Sequence, residues 1–179
     1  KSFPAMILVS PEGRSLVIQI SIQNESFKET VWSTLENVIS SPKREEILQH
    51  IVKAYCVVLL IHGKEATENK RAEEAITGAI ENITKLMSQM PKQVKAPPHL
   101  ILIPPELFSK EKILLWSLGV NETEMSKPRV AVLYGRGRKI GALLKGASIT
   151  ESDVFNTLSV IGLPSNEVKG SACECGLDK

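Results

Sequence analysis

Residues 128–146 read PRVAVLYGRGRKIGALLKG. Val130 to Tyr134 is an unbroken apolar run, as expected of a strand buried on both faces. Gly135 and Gly137 bracket Arg136, which is turn chemistry between two strands. The run after the turn returns as a second strand, so the pair forms an antiparallel hairpin. The amphipathic segment from Ile149 to Ile161 closes a strand–strand–helix unit.

Working back from this unit, strands and helices alternate. Lys110 to Leu118 is a short helix ended by Gly119, and His99 to Ile103 is a strand stopped by Pro104 and Pro105. Thr67 to Met90 carries Ala72, Ala75, Ile76, Ala79, Ile80, Ile83 and Met87 on one helical face. Cys56 to Ile61 is too short for a helix and rich in β-branched residues, which predicts a central strand. From Cys56 onward the order is strand, helix, strand, helix, strand, strand, helix. Two strand–helix–strand crossovers predict parallel pairing with the usual right hand.

Residues 3–22 read as an earlier hairpin, turning at Ser10-Pro11-Glu12-Gly13. Ser26, with Glu29 three residues on, is a capping box. It opens a helix with Phe27, Val31, Leu35 and Val38 on its stripe. Pro42 suits the first position of the next helix, with Ile47, Leu48, Ile51 and Val52 on the inner face. Trp32 and Trp116 both lie on helical stripes and are expected in the core. Pro4, Gly13, Arg14 and Ser26 recur as Pro128, Gly137, Arg138 and Thr150, an offset of 124 residues. Residues 3–39 therefore read as a half-repeat of the later unit or as an unrelated hairpin. An isolated hairpin is marginally stable, so this one must pack somewhere: on a preceding half-domain that was removed, on the complete domain's sheet, or on another chain's.

Three segments follow: an N-terminal half-unit with its connecting helix over 1–54, an α/β domain over 55–163, and a tail over 164–179. Composition is ordinary for a soluble globular protein, with 42% hydrophobic and 23% charged residues. A net charge of +2 gives no reason to expect nucleic acid or an anionic membrane as partner. No apolar run approaches the roughly 20 residues of a membrane span. The chain opens on Lys1 rather than Met, which is compatible with a removed leader and export, so the compartment stays open.

The order of elements from Cys56 to about residue 163 resembles the thioredoxin fold. In that family a strand follows a proline, turns at a glycine and returns, as Pro128 to Tyr134 and Gly137 do here. Leu115-Trp116-Ser117-Leu118-Gly119-Val120 resembles the helix end that leads into that strand. The resemblance implies an α/β fold with a thioredoxin-like βαβαββα domain and an N-terminal ββα half-repeat. It also implies that the bond before Pro128 is cis. The chain is similar, further, to a group of planctomycete-type bacterial thioredoxin-fold proteins, which suggests assembly or maturation of a large redox complex such as a multihaem cytochrome.

The family's redox chemistry needs Cys-x-x-Cys where the first strand meets its helix, because the helix N-terminus stabilises a thiolate. Here that position is Gly63-Lys64-Glu65-Ala66-Thr67-Glu68-Asn69, with no cysteine. The adjacent His62 reads as a solvated strand-end histidine, or alternatively as a ligand or base. Cys56 reads as a buried small hydrophobe. Cys173-Glu174-Cys175 in the tail is either inert, or a disulfide, or a chelate for copper or zinc needing further ligands. Arg129, Arg136, Arg138 and Lys139, with Tyr134 among them, form a basic cluster around the hairpin. Guanidinium groups there can grip carboxylates, so the cluster reads as a solvated turn or as a docking patch for an acidic protein. The expectation is a non-enzymatic, cofactor-free protein-binding module, an assembly factor or accessory subunit. The alternative is a thiol switch or a copper or zinc carrier built on Cys173 and Cys175.

Overall fold

The computed structural model of the protein describes residues 5–10, 13–20, 26–90, 96–120 and 125–162. In chain order the elements are β1 Ala5–Val9, β2 Ser15–Gln19, α1 Phe27–Ile39, α2 Pro42–Ile51, β3 Val57–Ile61 and α3 Ala66–Leu86. They continue with β4 His99–Ile103, α4 Lys112–Ser117, β5 Arg129–Tyr134, β6 Arg138–Lys145 and α5 Glu151–Gly162. The architecture is mixed α/β, with a four-stranded sheet of order β4-β3-β5-β6 and a separate two-stranded sheet, β1-β2.

β3 is central, and all five of its residues are buried. It pairs parallel with β4 but antiparallel with β5, so only the first crossover is parallel. The expected second parallel crossover fails for reasons of length. α3, with 21 residues, is about 31 Å long and carries the chain back along the sheet. α4, with six residues, is only about 9 Å long, shorter than a five-residue strand of about 17 Å. The chain therefore leaves β4 and enters β5 at the same end of the sheet, where Ile61 neighbours both Ile103 and Arg129.

The alternation of β3 divides the core into two layers. Val57, Leu59 and Ile61 join Ile47 and Ile51 of α2 and Leu114 and Leu115 of α4 on one face. Val58 and Leu60 join Ala72, Ile76, Ala79 and Ile83 of α3 and Val154 and Leu158 of α5 on the other. The hydroxyl of Tyr55 donates to the Leu158 carbonyl at 3.0 Å across that second layer. Burial pushes its pKa up to about 12.

Helix ends follow their sequence signals. Gly119 (φ +79°) closes α4 in a Schellman motif, with Val120 N–H donating to Leu115 O at 2.9 Å and Gly119 N–H to Trp116 O at 3.0 Å. Ser26 and Glu29 form the expected capping box on α1. The Ser26 hydroxyl and N–H hold the Glu29 carboxyl below its usual range. Pro42 begins α2 after the N-cap Ser41.

The N-terminal unit packs less deeply than its stripe predicts. α1 has no fully buried residue, and Trp32 is 58% exposed rather than in the core. On α2, Ile47 and Ile51 point inward while Leu48 and Val52 face solvent, because the helix covers the sheet with one narrow stripe. Polar anchors hold this unit in place. The Arg14 guanidinium donates to Trp116 O at 3.1 Å and lies 5.6 Å over the half-buried Trp116 ring. Arg44 donates to the carbonyls of Asn37 and Val38 at 2.7 Å, closing the C-terminus of α1.

Candidate functional site

The junction of β3 with α3 is the position at which a thioredoxin-like chain would carry its thiols. It is closed by backbone. A Cβ on Gly63 would lie 2.6 Å from the Lys127 carbonyl carbon and 2.7 Å from the Pro128 nitrogen. Lys64 N–H donates to Ser126 O at 3.1 Å, tying the two loops together. The Asn69 side chain brackets Gly63, accepting from its N–H at 2.7 Å and donating to its carbonyl at 3.1 Å. No peptide bond among the described residues is cis, so the bond before Pro128 is trans, correcting the expectation. Contact with the bare backbone of Gly63 positions this proline loop without the cis turn.

His62 is half-buried rather than solvated, and its Nε2 is shut off from solvent without a hydrogen-bond partner among the described residues. A ring nitrogen so placed is poorly situated to exchange protons with a dissolved substrate. Cys56 sits at the far end of β3, fully buried, and burial raises its pKa to about 12. That thiol stays protonated and unreactive. Cys173 and Cys175 lie outside the described residues.

The basic cluster divides in two. Arg129 is only 3% exposed, beside Ile61 in the β3–β5 register, and so cannot form part of a docking surface. The inward alternation of β5 placed it there, on the same face as Ala131 and Leu133. The Gly135–Gly137 turn lies at the other end of β5, roughly 17 Å away along the strand, so Arg136 stands far from Pro128 and Arg129 rather than in one cluster with Arg129. At that turn Arg136, Arg138 and Lys139 are exposed, and none of their side chains makes a hydrogen bond or ion pair among the described residues. Gly135 (φ +61°) and Gly137 (φ +81°) supply the left-handed backbone that raises Arg136 at the tip. Arg138 stands opposite Tyr134, on the α3–α5 face, and Lys139 opposite Leu133, on the other. Tyr134 is half-buried against the α3–α5 layer. Three cations thus fan out around one turn, able to meet carboxylates from several directions.

Two clusters escaped sequence reasoning. The buried Glu111 carboxylate accepts from Ser41 Oγ at 2.5 Å and from Lys43 N–H at 2.9 Å, capping α2 from 68 residues away. His50 and His99 stack face to face, their ring centroids 3.5 Å apart. Burial, and then the neighbouring His50, lowers the pKa of His99 against an opposing pull from Glu46. Both pairs are distant in sequence, and no local spacing announces them. Among the described residues no group of three or more metal-binding side chains converges, and no helix is long and apolar enough to cross a membrane. Comparison with family models, with curated proteins and with solved structures finds no match.

Proposed function

We propose that this chain is a non-catalytic, thioredoxin-like protein-binding module, acting as an assembly factor or accessory subunit of a larger protein complex. The fold reading is supported by the strand order β4-β3-β5-β6, by helices on both faces, and by a proline-led strand set against the strand–helix junction. The non-catalytic reading is supported by that junction itself, where Gly63 meets the Lys127–Pro128 backbone with no space for a methyl group.

One observation carries the binding role: Arg136, Arg138 and Lys139 stand exposed and uncompensated on a glycine turn. Such a turn fits an acidic protein surface, and the resemblance points to a redox complex as its owner. No cofactor enters this reading. The test is affinity capture from native lysate with the wild type and with R136E/R138E/K139E as bait. A stoichiometric acidic partner should be recovered by the wild type, released by high salt, and reduced at least tenfold by the triple variant. Circular dichroism establishes that the variant is folded. Equal recovery by both baits, or no stoichiometric partner, sinks the proposal.

A further inference from the structure

The N-terminal unit follows the order of the β5–β6–α5 unit at the offset of 124 seen between Pro4 and Pro128, with the same register next to the turn but without the shift that β6 makes between Val130 and Val132. Gly13 and Gly137 take the same backbone angle, φ +79° and +81°. Val9 pairs with Ser15 as Leu133 pairs with Lys139, and Leu8 with Leu16 as Val132 with Ile140. α1 begins at Phe27 and α5 at Glu151. The Ser26–Glu29 capping box is matched by Thr150, whose hydroxyl accepts from Asp153 N–H at 3.1 Å and donates to its carboxylate at 2.7 Å.

The two units differ in what covers them. β5 is hydrogen-bonded to β3 along its second edge, and Ala131 and Leu133 are buried beneath α2 and α4. Among the described residues no strand pairs with the second edge of β1. The equivalents of Ala131 and Leu133 are Ile7 and Val9, which are 62% and 66% exposed. A second copy of this chain pairing edge to edge would leave that apolar face open. Stacking face to face would leave the edge unpaired. A strand backed by helices, of the kind that residues 42–117 provide for β5, covers both.

We propose that β1, β2 and α1 are the C-terminal half of a second domain of the same architecture. Its other half is a strand–helix–strand segment that pairs antiparallel with β1 and buries Ile7 and Val9. The complete domain draws its segment from just upstream of β5, and the same chain order places the missing one upstream of β1 on the same polypeptide. This inference is independent of the basic turn and of any binding partner.

Hydrogen exchange tests it, comparing the 1–179 chain with the polypeptide carrying whatever residues its gene encodes ahead of Lys1. Amides of β1 should exchange at least tenfold more slowly in the longer chain, while those of β3 and β5 stay unchanged as an internal control. I7D should reverse the gain in the longer chain and leave exchange in the 1–179 chain unaltered. Equal β1 exchange in both lengths overturns the proposal. So does a reading frame without room for such a segment, or a 1–179 dimer in which β1 is already protected.

Discussion

Gly63 shows how a single position can lock two loops together. Its neighbours are backbone atoms of Lys127, Pro128 and Ser126, which cannot rotate away as a side chain could. Gly63→Ala should therefore destabilise the protein by roughly 1–3 kcal/mol, the usual cost of overpacking, measured as a lower urea midpoint. An unchanged midpoint would mean that the two loops part easily. His99 carries a pH dependence of definite sign. Its lowered pKa means that, as pH falls through the ordinary histidine range near 6.5, the unfolded chain takes up a proton that the folded chain resists. Stability should then decline from neutral towards acid pH, and His99→Gln should flatten that part of the profile in thermal melts. The histidine pair itself was invisible in the sequence, because only the packing of α2 on β4 brings position 50 to position 99.

At the scale of elements, α2 is the instructive case. Its start was legible, since Ser41 and Pro42 are strong local signals. Its inner face was only half legible. Ile47, Leu48, Ile51 and Val52 fit one broad stripe, yet only Ile47 and Ile51 reach the core. The remote cap was not legible at all. Glu111 takes the Ser41 hydroxyl and the Lys43 N–H, so removing it leaves two inward donors unmet. Glu111→Ala should cost roughly 1–3 kcal/mol in chemical denaturation and Ser41→Ala about 1 kcal/mol. The two changes should be non-additive in a double-mutant cycle, because the two side chains are hydrogen-bonded to each other. Additive effects would refute the shared cap. β6 shows another device of elements. Gly141 (φ +67°) falls where its register with β5 shifts between Val130 and Val132, and charged residues stud this edge strand. Both features discourage pairing with a further strand.

For the whole molecule, the uneven depth of packing sets an order of stability. β3 lies between two apolar layers, whereas α1 buries no residue fully and β1–β2 is a two-stranded sheet. In the 1–179 chain, amides of β1, β2 and α1 should exchange well before those of β3 and β5, in a local opening below global unfolding. Coincident exchange across both regions would show a single cooperative body. The sequence by itself determined the elements: apolar runs, capping boxes, proline starts and glycine stops act within one turn or strand, over distances the local chain controls. It also carried the recurrence of Pro4, Gly13, Arg14 and Ser26 as Pro128, Gly137, Arg138 and Thr150, because these are local signals. Tertiary structure alone decided the direction of β5, the burial of Arg129, the separation of Pro128 from Arg136 and the closing of Gly63. Each depends on which segments meet across the sheet. That is settled by connection length and by the layer in which each apolar face finds cover, and neither is written in the residues nearby.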